Sequence, residues 1–157
     1  VLIEWAGREQ GLLLVPGNPK GISDFEDLRK KKLRILLRQH GSGSRLLFEH
    51  LIAQAGIEER DFNINDEMAK NETELGRAIA GRKADAGLGL ATVAKQFELD
   101  FLPLCHERFD ILIRRRDYFD EPFQQLISLT RRQSFFQRAR EMRGYDVTQT
   151  GKVHFNA

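Results

Sequence analysis

The sequence predicts an α/β fold whose sheet contains parallel segments. Short apolar runs rich in strand formers alternate with helical segments that carry one apolar stripe. Glycine-containing breaks separate most of these runs, so the elements can be assigned in order. Hydrophobic residues make up 41% of the 157 residues, which is enough for one good core or two small lobes.

The first part of the chain is predicted to hold three strands and a short helix. VLIEWA and QGLLLVP indicate two strands separated by the polar GREQ, and GNPKG at 17–21 is a turn. Ser23 and Glu26 have the spacing of a capping box, which predicts a helix over about 23–31. LRILLR at 33–38 is a candidate buried strand.

A helix is predicted over residues 45–55, directly after a loop rich in glycine and serine. Leu47, Leu51 and Ala55 recur at a spacing of four and give this helix an apolar stripe. Gly56 is a good left-handed cap at its end.

The loop in front of this helix suits an anion. Either Ser42 or Ser44 can be the N-cap, and several backbone N–H groups then lack intrahelical partners. Those donors, the positive end of the helix dipole and the Arg45 side chain favour negative charge. An ordinary capped helix accounts equally well for this stretch alone. Nucleotide motifs are excluded, because no Lys follows the glycines and Leu46 replaces the third Gly of a dinucleotide fingerprint.

The second half of the chain continues the alternation. FNIN indicates a strand, and TELGRAIAG predicts a helix with Thr73 as N-cap and Gly81 as stop. ADAGLGL then predicts a strand and ATVAKQF a short helix. LDFLPLC and FDILIRR predict two further strands, and helices are expected over 121–131 and 134–143, the second stopped by Gly144.

Ligands of such sheets bind beyond the carboxyl ends of the strands, where helices begin. The loop 39–44 follows the strand 33–38 and opens a helix. The loop from Asn71 to Thr73 opens the next long helix, and can supply a second helix N-terminus to the same crevice.

Composition excludes several classes of protein. The single Cys105 excludes an internal disulfide framework and a structural zinc site, and the chain suits a reducing compartment. No apolar run approaches the ~18 residues that a membrane helix needs. We therefore expect a cytoplasmic protein, or a periplasmic one if a removed signal peptide preceded Val1. Because Val1 begins what looks like a strand, we expect a domain of a longer protein.

Enzymatic activity is not predicted for this chain. Cys105 and His106 are neighbours on a predicted strand, where successive side chains point to opposite faces, so they are not expected to form a nucleophile and base pair. His40, His50 and His154 lack a metal-binding spacing, and no cofactor or metal is expected. Catalysis is considered only for a longer parent protein, in which an attached domain would be the enzyme.

Five stretches together carry a resemblance: GREQGLLLVPGNPKGI, RQHGSGSRLLFEHLI, AIAGRKADAGLGL, LDFLPLCHERFDILI and GYDVTQTGKV. In their order and amino-acid sequence, they resemble the periplasmic-binding-protein-like domain family related to molybdate- and tungstate-binding proteins. The resemblance runs from about Gly7 to Val153. Members of that family are often joined to a helix-turn-helix DNA-binding segment or to a molybdenum-cofactor biosynthesis domain.

The resemblance implies a type II periplasmic-binding-protein fold over 1–157, with two small α/β lobes joined by crossing strands. Residues 17–102 would form the main lobe, and 1–16 with 103–157 would form the crossing strands and part of the second lobe. A complete domain would have a further β-α-β stretch before Val1, which this chain lacks. Half of the cleft is therefore expected either to be missing or to be contributed by another molecule.

The resemblance also implies a set of ligand-binding residues. The strongest match is the glycine- and serine-rich loop with the start of the helix that follows it, and the second is the start of the next long helix. The third is a pair of residues near the crossing strands, for which a structural role in hinge turns is equally expected. In that order they are Ser42, Gly43, Ser44 and Arg45; Asn71 and Thr73; Arg8 and Asn18.

The implied function is a sensor or solute-binding domain for a small tetrahedral oxyanion such as molybdate or tungstate. Such a domain would be the effector domain of a larger transcriptional regulator or cofactor-biosynthesis protein, with a fused domain as partner and a homodimer left open. The alternative is an interaction module that contacts protein or DNA through the basic C-terminal helices. RRR at 114–116 and the segment 131–143 are locally basic, although a solvated face also explains them.

Overall fold

The computed structural model describes residues 1–156 and is a mixed α/β protein, which confirms the predicted fold class. The chain divides into two compact units. The first, called the central unit, is Gln10–Cys105; the second, called the terminal unit, joins Val1–Glu9 to the residues from His106 onward. Within the described residues, no helix is long and apolar enough to cross a membrane.

The described part of the chain contains seven strands, seven α-helices and one short 3-10 helix. In chain order they are β1 (Leu2–Leu14), α1 (Asp27–Lys30), β2 (Arg34–Ile35), α2 (Gly43–Ala55), the 3-10 helix (Glu59–Asp61), β3 (Asn63–Ile64), α3 (Glu72–Ala80), β4 (Ala86–Leu90), α4 (Ala91–Gln96), β5 (Asp100–Leu112), α5 (Arg115–Tyr118), α6 (Glu121–Thr130), α7 (Gln133–Glu141), β6 (Tyr145–Asp146) and β7 (Val153–Phe155).

The central unit is built on a sheet with the strand order β3-β2-β4-β1-β5. β2 is parallel to both β3 and β4, whereas β1 is antiparallel to β4, with Leu12 opposite Leu88. Successive side chains of a strand point to opposite faces. Leu12 and Leu14 accordingly pack on one face, while Leu13 and Val15 pack on the other.

Helices cover both faces of this sheet. One face holds Phe48 of α2, whose ring meets those of Phe25 and Phe62 at centroid distances of 5.9 and 5.3 Å. The other face holds Leu75 and Ile79 of α3 together with residues of α4. A sheet with parallel strands buried on both faces explains why its strands read as continuous apolar runs in the sequence.

Two glycines of β4 allow α3 to lie close to the sheet. A Cβ built on Gly87 would stand 2.7 Å from both the Leu36 carbonyl oxygen and a methyl group of Leu75 in α3. One built on Gly89 would stand 2.8 Å from a methyl group of Leu13 in β1 and 3.1 Å from a methyl group of Leu75. Real Cβ atoms do not approach so closely, so the alternating glycines of ADAGLGL are required by packing.

The terminal unit pairs both ends of the chain. β6 lies opposite Gly7 and Arg8 of β1, and β7 lies opposite Leu2 and Ile3. A small core of Ala6, Ala139 and Val147 packs beside Trp5, whose ring meets that of Phe135 edge-on at 5.8 Å. α5, α6 and α7 belong to this unit.

Four of the predicted strands are joined in pairs to form two long strands. VLIEWA and QGLLLVP are joined as β1, because GREQ continues the strand and Gly7 and Arg8 pair with β6. LDFLPLC and FDILIRR are likewise joined as β5. The predicted strand 33–38 is shorter, since β2 covers only Arg34–Ile35 and Arg38 makes an isolated bridge to Ala69.

The helix boundaries differ in part from those predicted. The capping box of Ser23 and Glu26 does not form: the Ser23 hydroxyl donates to the Asp27 carboxylate at 3.0 Å, and α1 begins only at Asp27. The N-cap of α3 is Asn71, not Thr73. α2 is confirmed.

The two ends of α2 follow the predicted chemistry. Ser42, one of the two candidate serines, is its N-cap, and Gly56 ends it with a left-handed φ of 63°. At the far end of the chain, α7 ends at Glu141, ahead of the predicted stop at Gly144.

Candidate functional site

The loops that open α2 and α3 run side by side in the central unit. Arg38 and Ala69 form a parallel bridge, the Gln39 N–H donates to the Ala69 carbonyl at 3.1 Å, and the Ala69 N–H donates to the Leu37 carbonyl at 2.9 Å. Both loops follow parallel strands, β2 and β3. The starts of two helices are therefore neighbours at the carboxyl edge of the sheet, where ligands of α/β sheets bind.

The first turn of α2 has two backbone donors without partners. Ser42 is extended (φ −75°, ψ 149°), and its hydroxyl accepts the Arg45 N–H at 3.3 Å. The N–H groups of Gly43 and Ser44 have no acceptor within hydrogen-bond distance among the described residues. At the N-terminus of a 13-residue helix, such donors form the positive end of the helix dipole.

Ser44 adds a buried hydroxyl to these donors. The residue is 4% exposed, and its Oγ has no hydrogen-bond partner within the described chain. A buried polar group without a partner costs about 1–3 kcal/mol. An acceptor that binds at this helix start can recover that cost.

Arg45 differs from the expectation that its charge faces the anion. Its Nε donates to Glu49 at 2.8 Å and its guanidinium donates to Glu59 at 2.5 Å, and the side chain is almost fully buried. The hydrogen bond from Arg45 holds the pKa of the Glu49 carboxyl below its usual value. Two carboxylates already neutralise this guanidinium, so the loop offers uncharged donors in place of the Arg45 charge.

The first turn of α3 contains acidic side chains of its own. The Asn71 side chain accepts the Glu74 N–H at 2.8 Å, and the Glu74 carboxylate accepts the Lys70 N–H at 2.7 Å. Glu72, the first residue of α3, forms an ion pair with Arg38. Thr73 is exposed. Asn71 therefore lies beside the site but acts as a helix cap.

Arg38 is a functional candidate that the sequence analysis missed. It lies at the end of the strand region before the loop, its side chain is 11% exposed, and it joins the loop of α2 to the start of α3 through Glu72. Its Nε also donates to the Gln39 side chain at 3.3 Å. A cation directly before a glycine-rich loop was the available signal.

The remaining two predicted residues have structural roles. Asn18 closes a loop: its amide donates to the Ile22 carbonyl and accepts the Ile22 N–H, each at 2.9 Å. Arg8 belongs to the terminal unit, where it forms an ion pair with Glu107 and stacks on Phe109 at 4.0 Å from the ring centroid. Of the eight predicted site residues, the structure brings together Ser42, Gly43, Ser44 and Arg45 in one turn, with Asn71 and Thr73 on the adjacent helix start.

The described residues contain no group of three or more His, Cys, Asp or Glu side chains that could hold a metal ion. Cys105 and His106 are consecutive in β5, and the His106 ring lies 4.0 Å from the carboxylate of Glu9.

Comparisons with known proteins agree with this architecture. The uncharacterized protein YvgK of Bacillus subtilis (strain 168) is 27% identical over 152 residues, which cover 97% of this chain and 49% of YvgK. This chain therefore spans about half the length of that relative.

Solved structures of the same fold include PEB3 bound to L-phospholactate, a protein of Campylobacter jejuni, with a TM-score of 0.70 and 18% identity over 92% of this chain and 67% of PEB3. The CcmR regulatory domain of Synechocystis PCC6803 in complex with 2-PG has a TM-score of 0.65 and 16% identity over 82% of this chain and 64% of that one. The family model described as "PBP superfamily domain" matches residues 1–131, and this chain belongs to that family.

Proposed function

We propose that this chain is a ligand-binding domain that holds a small oxyanion, or the anionic group of a small organic acid, at the N-terminus of α2. The observation that carries the proposal is the set of donors without partners: the N–H groups of Gly43 and Ser44 and the buried Ser44 hydroxyl. Helix N-termini with such donors bind phosphate, sulfate and carboxylate groups.

The ligands of two proteins with this fold support the anionic class. PEB3 was solved with L-phospholactate and the CcmR regulatory domain with 2-PG. L-phospholactate carries a phosphate and a carboxylate. Free tetrahedral oxyanions, including molybdate and tungstate, fit the same donors, and the choice between a free oxyanion and a phosphorylated acid is made by the experiment below.

The proposed role is binding without turnover. Two of the donors at the start of α2 are backbone groups, and the third is a serine hydroxyl that has no hydrogen-bond partner among the described residues. Such donors orient and neutralise an anion but do not activate a nucleophile. In a longer protein, this domain would act as a sensor or solute-binding module, and a fused DNA-binding or molybdenum-cofactor-biosynthesis domain would be its partner.

Calorimetry on the full-length natural protein tests the proposal. The titrants are phosphate, sulfate, molybdate, tungstate and L-phospholactate, and the variants are Ser44→Ala and a matched control, Ser134→Ala, on the exposed side of α7. Loss of one hydrogen bond to a charged acceptor costs about 1.5–3 kcal/mol, so Ser44→Ala should bind roughly tenfold to hundredfold more weakly. Equal affinity in the two variants, or no anion binding by the wild type, overturns the proposal.

A second candidate function is an interaction module in the terminal unit. α6 and α7 expose Leu129 (45%) and Phe136 (38%), and the same two helices and their ends carry five arginines, namely Arg131, Arg132, Arg138, Arg140 and Arg143. Exposed apolar groups among arginines suit an acidic partner. Binding of DNA by these arginines should weaken steeply as salt rises, because condensed counterions are released, whereas anion binding at α2 should respond much less.

A further inference from the structure

The central unit has a cavity that lies away from the start of α2. It is lined by the end of β1, the loop that follows it, the first residue of β2 and the residues just before β4. β2 and β4 are parallel, and this cavity lies at their amino ends, whereas the loop of Ser42 follows the carboxyl end of β2. The cavity has a volume of about 210 Å³.

The wall formed by the sheet and its following loop is apolar. Leu14, Val15 and Ile22 line it, and their exposed fractions are 2%, 6% and 5%. Contact with these side chains favours an apolar body in the ligand, at about 25 cal/mol for each Å² removed from water.

The rim is cationic. Lys20, Arg34 and Arg82 line the cavity together with one carboxylate, that of Asp85. Arg34 already holds this carboxylate, with its Nη2 donating at 2.9 Å and its Nε at 3.2 Å, and these hydrogen bonds keep the pKa of Asp85 below its usual value.

The rim therefore has an excess of positive charge: three cations face one carboxylate, which Lys20 also attracts at longer range. No carboxylate of the described chain lies within 4.0 Å of the charged groups of Lys20 or Arg82. One further negative charge at the rim would be attracted by both.

The cavity is held open by its own backbone. Asn18 and Arg82, both in the lining, have left-handed φ angles of 41° and 57°. The Asn18 amide is locked to Ile22 by two hydrogen bonds, and the Arg82 carbonyl accepts a hydrogen bond from Arg34 at 3.1 Å. These hydrogen bonds fix the two lining segments within the protein itself, without a ligand.

We propose that this cavity is a second ligand site, which binds a small organic monoanion consisting of one apolar ring or short chain and one carboxylate. A cavity of roughly 150 Å³ lined by apolar side chains holds a benzene molecule, so the larger volume found here has room for a six-membered ring with an acidic substituent. The ring lies on Leu14, Val15 and Ile22, and the carboxylate faces Lys20 and Arg82. This site is independent of the one at α2.

Titration with benzoate, followed by the backbone amide signals of the ¹⁵N-labelled protein, tests this inference. Benzamide is the neutral probe of the same shape. We expect benzoate to shift the signals of residues 14–22 and 82–85, and benzamide to bind roughly tenfold more weakly because it lacks the charge. The double variant Lys20→Gln with Arg82→Gln should lose the same factor, whereas Lys32→Gln, an exposed cation outside the lining, should bind benzoate as the wild type does.

Several outcomes overturn the inference. These are the absence of any shift at millimolar benzoate, equal affinities for benzoate and benzamide, and unchanged affinity in the double variant. Shifts confined to residues 42–45 would assign benzoate to the start of α2 and also count against this cavity. A folded double variant is verified by its amide spectrum, so loss of binding is not confused with loss of structure.

Discussion

Removing the Ser44 hydroxyl should make the protein without ligand more stable. The hydroxyl is buried without a hydrogen-bond partner, and such a group costs about 1–3 kcal/mol. Alanine is also the better helix former in the first turn of α2. Since the small cavity left by the oxygen offsets part of this gain, we expect Ser44→Ala to raise the free energy of unfolding by about 1 kcal/mol. Urea unfolding with an unchanged m-value measures it.

The neighbouring serine provides the matched control. The Ser42 hydroxyl accepts the Arg45 N–H as the N-cap, so Ser42→Ala should lower the free energy of unfolding by about 0.5–2 kcal/mol. The same chemical change at two positions in the same turn should thus have opposite effects on stability. Destabilisation by Ser44→Ala as large as that by Ser42→Ala would refute the reasoning, because it would show that the Ser44 hydroxyl has a partner within the protein.

Three further predictions follow from the geometry. Gly56→Ala should lower the free energy of unfolding by about 1 kcal/mol, because Gly56 ends α2 at a φ of 63°, where a Cβ is strained; unchanged urea unfolding contradicts this. Hydrogen bonds from Ser23 lower the pKa of Asp27 from 3.8 to about 2, so this carboxylate stabilises the fold above pH 3.8 and loses that effect as the pH falls through about 2. The free energy of unfolding should therefore depend less on pH in this range in Asp27→Asn than in the wild type, and identical pH dependences would refute this prediction. Gly43→Asp should raise stability by about 0.3–1 kcal/mol through the helix dipole and weaken phosphate binding, whereas Gly43→Asn should do neither to the same extent; equal phosphate affinities would place the anion elsewhere.

The sequence predicts α2 well because its signals are local. The N-cap Ser42, the apolar stripe and the left-handed Gly56 each act within one or two turns, and the structure has all three. The fold class follows from the same local alternation of strands and helices. Long-range pairing is not visible in this way: β1 continues through GREQ because Gly7 and Arg8 pair with β6, which lies at the other end of the chain.

Side-chain direction was the part of the site that sequence reasoning could not supply. Arg45 follows the serines directly, and its charge suggested an anion ligand. Its guanidinium instead reaches Glu59, 14 residues further along, in a 3-10 helix that no sequence pattern predicted. Conversely, Arg38 looked like the end of a strand, and only the bridge to Ala69 and the ion pair with Glu72 place it between two helix starts.

The two adjacent helix starts solve the same electrostatic problem in different ways. α3 brings acidic residues into its first turn, Glu72 and Glu74, so the positive end of its dipole is compensated within the chain. α2 has no acidic residue in its first turn and leaves the N–H groups of Gly43 and Ser44 without acceptors. An anion from solution therefore gains more at α2 than at α3, although the two loops are neighbours. Because the donors at α2 are uncharged and do not titrate near neutral pH, we expect the affinity for a fully ionised anion such as sulfate to be nearly independent of pH between about 6 and 9. The affinity for inorganic phosphate should instead follow its second ionisation, which has a pKa of about 7.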